Sequence, residues 1–436
     1  MPNASNELMQ RADVAWSRRE ATHLLWRTGF GASAAEIQQT TEAGLDKTLD
    51  RLLTPQPESA EFAKSDSLLR QAALDSGSIL DLKSWWLHRM VASANPLVEK
   101  LTLLWHNHFA TSNAKVASVP LMAAQNDLLR RESLGSFRRV LHGIARDVAM
   151  LVWLDSNSNR KRHPNENFAR EVMELFSLGV GNYSEHDIQE AARAFTGWHV
   201  HNGEFWFNAI QHDTEAKEVF GQRGSFDGGD VVELCLEHPA CPRFLAFKLL
   251  RQFVEPSPSK EHLDALAARI RQHNFEWRPI LRELFSSRLF FSSEARQSII
   301  KSPVELLLGA VRQLGAKPNL QNIARLSAEL GQDLFEPPTV KGWDGGRLWI
   351  SSTTLIQRAN FATALLKSNQ LGSVSFAGLR VEDEVNYFFE LLLARDAEPD
   401  VIAELREFLR TQTGDAEQRR RSLVQLVMQM PEYQLS

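Results

Sequence analysis

Apolar residues recur at spacings of three and four through most of the chain, and strict alternation is confined to one short stretch, so the pattern predicts a mainly α protein. The clearest helical case is 164–179. There Phe168, Val172, Leu175 and Phe176 form an apolar stripe, while Asn167, Arg170, Glu171 and Glu174 share another face. Pro164 suits the opening turn and Gly179 the stop, which predicts a helix of about four turns. Ser184 followed by Asp187 reads as a variant capping box that starts a second helix ending at Gly197. The intervening Gly179-Val180-Gly181-Asn182 reads as a tight turn, making the two helices an antiparallel hairpin.

The same signals recur on either side. Ser17 with Glu20 and Ser33 with Glu36 mark two short helices around Thr28-Gly29-Phe30-Gly31, with Phe30 placed to plug the core. Residues 55–78 are polar and poor in pattern and read as a variable connection; 82–91 reads as an aromatic-rich helix. Asn95-Pro96 opens a helix as N-cap and first-turn proline, with Leu97, Leu101, Leu104 and His108 on one stripe and Glu99, Thr102, Leu103 and His106 on its neighbour. The alternating stretch is Trp198-His199-Val200-His201, Asn202-Gly203, Glu204-Phe205-Trp206-Phe207, a β-hairpin signal. Its register pairs His201 with Glu204 and His199 with Trp206 and places both histidines on a polar, solvent-facing side. Amphipathic segments at 243–254 and 262–272, and a start at Ser302-Pro303, continue the helical pattern. The fold expected is mainly α and multi-helical: an N-terminal lobe over 1–229, a C-terminal helical lobe over 230–436, and one small inserted β-hairpin, folded as one unit.

Composition narrows the class. With 436 residues, 43% hydrophobic and 24% charged, the chain is an ordinary globular one that can bury a substantial core. A net charge of −5 with interspersed signs leaves no footprint for nucleic acid. No stretch approaches the continuous apolar length of a membrane span. The first residues lack the apolar core of a signal peptide, so the chain as written reads as cytoplasmic, and as exported if a leader was removed. Cys235 and Cys241 read as buried thiols without a zinc pattern around them.

Candidate chemistry concentrates at 155–198. Asp155, Asn157, Asn159, Arg160, Lys161, Arg162, His163, Asn165, Glu166 and Asn167 precede the helix that carries Glu171 and Glu174. The bland reading is turn chemistry followed by a solvated face on which Arg170 pairs with Glu174. The sharper reading is a dense polar site. His106, with Glu99 two turns behind it and Asn107 beside it, is a candidate ligand or acid/base group, whereas His108 points where core residues point. His212, Asp213 and Lys217 follow the hairpin as turn formers or as ligand, base and electrophile. The 335–352 loop offers Trp343 as a ligand platform or as packing. The resulting candidate set has His106, Glu171 and Glu174 as catalytic groups or ligands of a divalent metal ion, completed by His212 and Asp213. Lys161, Asn165, Asn167, Arg170 and Trp343 position the substrate. The spacing matches neither a zinc-protease nor a diiron-bundle motif.

LTLLWHNHFATS at 101–112, NENFAREVMELFSLGVGNYSEHDIQEAARAFTGW at 165–198, HDTEAKEVFG at 212–221, PACPRFLAFKLLRQFV at 239–254 and PPTVKGWDGGRLWI at 337–350 resemble the successive blocks of the bacterial domain of unknown function 1800 family. The resemblance runs in order over nearly the whole chain. It brings no established catalytic residue. It implies a tendency towards export and, because members are often encoded beside a second uncharacterised, sulfatase-like family, a sulfatase-like partner protein. Two functions stay open: a hydrolase or transferase acting on a glycan, sulfated or phosphorylated substrate, and a non-catalytic binding or chaperone-like partner of that neighbour.

Overall fold

A computed structural model describes residues 7–367, 371–377, 379–395 and 398–436. Helices start where side chains satisfy the free amides of a first turn. Ser33 with Glu36, Ser184 with Asp187, and Ser302 with Glu305 each form a complete capping box. Asn95 departs from its expected role. Its side chain leaves the helix Pro96–His108 uncapped and instead takes the Gln56 N–H at 2.6 Å and donates to the Gln56 carbonyl at 2.9 Å. Among the described residues there are twenty-two α-helices and three two-stranded antiparallel sheets, so the protein is mainly α.

The helices close around two hydrophobic cores. The first runs from Met9 to Ala295 and includes Trp105 stacked on Trp277 at 5.1 Å. The second gathers Phe30, Trp85, Trp86 and Met122 with residues from Val304 to Tyr433. The helix Pro96–His108 is buried nearly all round because it separates them: Leu97, Leu101, Leu104 and Trp105 enter the first core and Leu103 the second. The lobe boundary expected at residue 229 falls inside the first core, to which Val231, Leu245, Phe253 and Trp277 belong. Close approach between elements explains one of the early glycines. Gly31 has φ +78°, and a Cβ there would lie 2.9 Å from the Gly309 Cα of the helix Pro303–Gln313.

Two local expectations are corrected. The polar connection at 55–78 contains the helix Ala60–Ser76, capped by Ser59 and packed on the helix Ile79–Ala92. Its polar face is used rather than merely solvated: Asp66 accepts the Trp85 indole N–H at 2.7 Å and the Arg89 guanidinium at 2.6 Å. Two further β pairs, Lys317–Pro318 with Gly372–Ser373 and Lys217–Val219 with Gln222–Gly224, are too short to leave an alternating pattern. The hairpin Trp198–His201 with Glu204–Phe207 has the expected register. No helix of the described residues is long and apolar enough to cross a membrane, and both cysteines are buried free thiols.

Candidate functional site

The Asn-rich loop is built around Asn159. Its buried side chain donates to the Ala192 carbonyl at 3.0 Å and accepts the Asn165 N–H at 2.9 Å. Its own carbonyl accepts from the His199 ring at 3.1 Å, which buries that histidine and corrects its expected exposure. Asn157 exchanges two hydrogen bonds with the Val200 backbone, at 2.6 and 3.3 Å, as a neighbouring strand would. Asn165 bonds Ser158 Oγ at 2.5 Å and the Asn167 N–H at 2.9 Å; Asn167 donates to the Leu154 carbonyl at 3.3 Å. Both amides expected to position substrate are therefore engaged within the loop. Lys161 ties its backbone to Gln211 at 2.8 Å and leaves its side chain exposed.

After this loop the helix starts later than Pro164 would suggest and does not stay regular. Asn167–Glu171 is α-helical and Val172–Leu178 is a π-helix. The wider turn lets Val172, Met173, Phe176, Ser177 and Leu178 all be buried, and Ser177 Oγ donates to the Val172 carbonyl at 2.5 Å. Such segments occur frequently at functional sites because they re-aim side chains. Arg170 does not pair with Glu174. It reaches Glu166 at 3.1 Å and Glu185 at 2.7 and 2.9 Å, locking the two helices of the hairpin together. Glu174 instead accepts the Tyr183 phenol. Glu171 is half-buried, and among the described residues no hydrogen bond or ion pair engages its carboxyl. Burial, then the charge of Glu174, push it up to about 7 against the smaller opposing effect of Arg170.

Tyr183 also forms part of the wall of a cleft of about 710 Å³. Asp187, Phe220, Gln222, Glu237 and His238 supply much of the rest. Asp187 is held by the Ser184 and Phe220 amides at 2.8 and 2.7 Å, and His238 Nδ1 accepts from Ala240, which leaves Nε2 as the donor. The phenol thus joins the polar cleft to the carboxylate pair.

The remaining candidates lie elsewhere. His106 is buried against Trp86, Phe335 and Trp343, at ring distances of 5.1, 5.3 and 5.8 Å, and its Nε2 accepts the Phe335 N–H at 3.1 Å. Burial holds its pKa down to about 3, so the ring is a neutral acceptor. Glu99, two turns back on the same helix, is engaged elsewhere: it is fully buried between Arg130 and Arg89, with the Trp86 indole N–H at 3.0 Å. Trp343 is buried, not an exposed platform, because Asn107 clamps its backbone in both directions at 2.7 and 3.2 Å. The preceding Gly342, at φ +81°, is needed there: a Cβ would lie 2.4 Å from the Asn107 carbonyl oxygen. His212 donates to the Thr196 carbonyl at 2.8 Å. Asp213 is buried against Arg193 at 2.8 Å and its carbonyl accepts the Lys217 ammonium at 2.6 Å. These groups brace the hairpin loop against the helix Glu185–Ala194. Among the described residues no three His, Cys, Asp or Glu side chains converge as a metal ion would require, so His106 does not join Glu171 and Glu174.

A family model described as "Protein of unknown function (DUF1800)" matches residues 23–435. The chain belongs to the DUF1800 family. No curated protein and no solved structure matches it. Several groups of this DUF1800 chain had no local signal. Tyr183 lies between the tight turn and the Ser184 cap, and His238, which shares the cleft wall with it, lies 64 and 67 positions beyond Glu174 and Glu171. Lys248, on the helix Ala240–Phe253, is pushed down to about 8 by burial and by Arg251 and Lys341, and stands 5.1 Å over the Phe244 ring. Only its place one turn after Phe244 hinted that it would share a packed face.

Proposed function

We propose that this DUF1800 protein is a hydrolase or transferase for a polar glycan, sulfated or phosphorylated substrate, with Glu171 as its acid/base group. The observation that carries the reading is the half-buried Glu171 carboxyl, without a hydrogen bond or ion pair among the described residues and pushed up to about 7 by burial and the neighbouring Glu174 charge. A group poised there is populated in both protonation states at neutral pH, which acid/base catalysis needs. Glu174, oriented by Tyr183, supplies the neighbouring charge that helps raise the Glu171 pKa. The cleft walled by Tyr183 and His238 offers donors and acceptors for a polar substrate, and the exposed Lys161 is available to an anionic one.

The test is a panel of aryl glycosides, aryl sulfates and aryl phosphates, assayed against pH with wild type and Glu171→Gln. The reading expects turnover with a limb near pH 7 that disappears in the variant while its circular dichroism stays unchanged. Turnover that survives in Glu171→Gln removes Glu171 from the chemistry. One observation favours the binding reading: Trp206, Phe207 and Ile210 are 45%, 44% and 87% exposed on the hairpin and the turn after it. A sulfatase-like partner captured by wild type and lost on Trp206→Ser with Ile210→Ser would support that role instead.

A further inference from the structure

Two carboxylates stand in the wall of the cleft of about 710 Å³, and neither lysine nor arginine lines it. The two acids differ in what they still offer. Asp187 already accepts the Ser184 N–H at 2.8 Å, the Ser184 hydroxyl at 2.6 Å and the Phe220 N–H at 2.7 Å. Backbone amides at the start of a helix, here Glu185–Ala194, are where a sulfate or phosphate group would bind, and the protein's own acid fills this place. Glu237 is exposed, and among the described residues no hydrogen bond or ion pair engages its carboxyl. Arg271 turns its guanidinium to the Leu236, Glu237 and His238 carbonyls, at 3.0, 3.3 and 3.0 Å, and does not line the cleft. An anionic group entering here would meet two negative charges and no cation, and would lose hydration without compensation.

The rest of the wall suits a neutral group that bears hydroxyls. His238 Nδ1 accepts the Ala240 N–H at 3.2 Å, which leaves its Nε2–H free. Burial lowers the His238 pKa below its ordinary value despite the opposing charge of Asp187, so the ring is a neutral donor at pH 7. The exposed Gln222 amide has no partner among the described residues and offers both a donor and an acceptor. Phe220 adds an apolar face, its ring centre 5.0 Å from that of His238. It stands at φ +50° in the turn between Lys217–Val219 and Gln222–Gly224, where asparagine or glycine is usual and a bulky side chain is costly. The bond from its N–H to Asp187 holds it there. A flat apolar ring bordered by a carboxylate, an amide and an imidazole matches a sugar, whose faces carry C–H groups and whose rim carries hydroxyls. We infer that the cleft binds an uncharged sugar residue, with Glu237 and Gln222 bonding its hydroxyls and Phe220 against its face, and excludes sulfated and phosphorylated sugars. Resting on the reading of Glu171 as the acid/base group, this makes the substrate a neutral glycan and neither a sulfate nor a phosphate ester.

The experiment is binding of the full chain to an array that carries the same glycans in neutral, sulfated and phosphorylated form. Wild type should bind neutral members and not their sulfated or phosphorylated counterparts. Glu237→Gln and Phe220→Ala should each weaken that binding roughly five- to tenfold with circular dichroism unchanged. Glu237 is exposed, so its variant carries the test should Phe220→Ala not fold. Preference for the sulfated or phosphorylated forms overturns the inference, as does binding to no neutral glycan or neutral binding that both variants leave intact. The chemistry and the site fail separately. Neutral-glycan binding without turnover that depends on Glu171 removes the chemistry and keeps the site, whereas Glu171-dependent turnover of aryl sulfates or aryl phosphates keeps the chemistry and removes the site.

Discussion

Replacing Glu171 by glutamine tests the electrostatics of the carboxylate pair directly. The folded protein raises the Glu171 pKa from the ordinary 4.5 to about 7, by burial first and the Glu174 charge second. Between those values the native state keeps a proton that the unfolded chain has released, so stability falls as pH rises through this window. Below about pH 4.5 both states hold the proton and the effect vanishes. At 1.36 kcal/mol per unit the full shift would amount to roughly 3.4 kcal/mol. Solvent reaches much of this side chain, and screening reduces the expected effect to about 1–2 kcal/mol. Glutamine keeps the shape and removes the charge. Glu171→Gln should therefore be more stable than wild type by about 1–2 kcal/mol at pH 8 and nearly equal to it at pH 5. Urea unfolding at the two pH values, with matching m values, measures the difference. A gap between variant and wild type that is the same at both pH values would refute the reasoning, because Glu171 would then ionise as an ordinary surface carboxylate.

Glu99→Ala should cost about 3–5 kcal/mol in the same assay, since it leaves Arg130 and Arg89 buried without their carboxylate. His106→Ala should cost about 2–4 kcal/mol through the cavity it opens among Trp86, Phe335 and Trp343, with no change in metal content by elemental mass spectrometry; a loss of stoichiometric metal would return His106 to the ligand set. Asn159→Ala removes the partner of the Ala192 carbonyl and the Asn165 N–H, and should lower stability by about 2–4 kcal/mol and loosen the hairpin, visible as faster amide exchange at Gly197 and Asn165.

What the sequence determined by itself is what nearby residues decide. The capping boxes at Ser33, Ser184 and Ser302 bond within three positions, the Asn202-Gly203 turn sets the register of the strands it joins, and a run of asparagines became turn chemistry. The neighbourhood of Glu171 and Glu174 was legible for the same reason, because one helix carries both. Tertiary structure alone chose the partners. Glu99 and His106 share a helix face, yet Glu99 is claimed by arginines from two other helices, and His106 by the Phe335 amide 229 positions away. Asn107 pins Trp343 from 236 positions away and decides for packing at a tryptophan that local chemistry left open between a ligand platform and the core. The π-helix is likewise a tertiary outcome: two adjacent pairs, Val172 with Met173 and Phe176 with Ser177, all find burial, and only the wider turn points them inward together. Local hydrogen bonds and periodicity are written within a few residues, whereas partner choice across hundreds of residues depends on which faces the packed cores bring together.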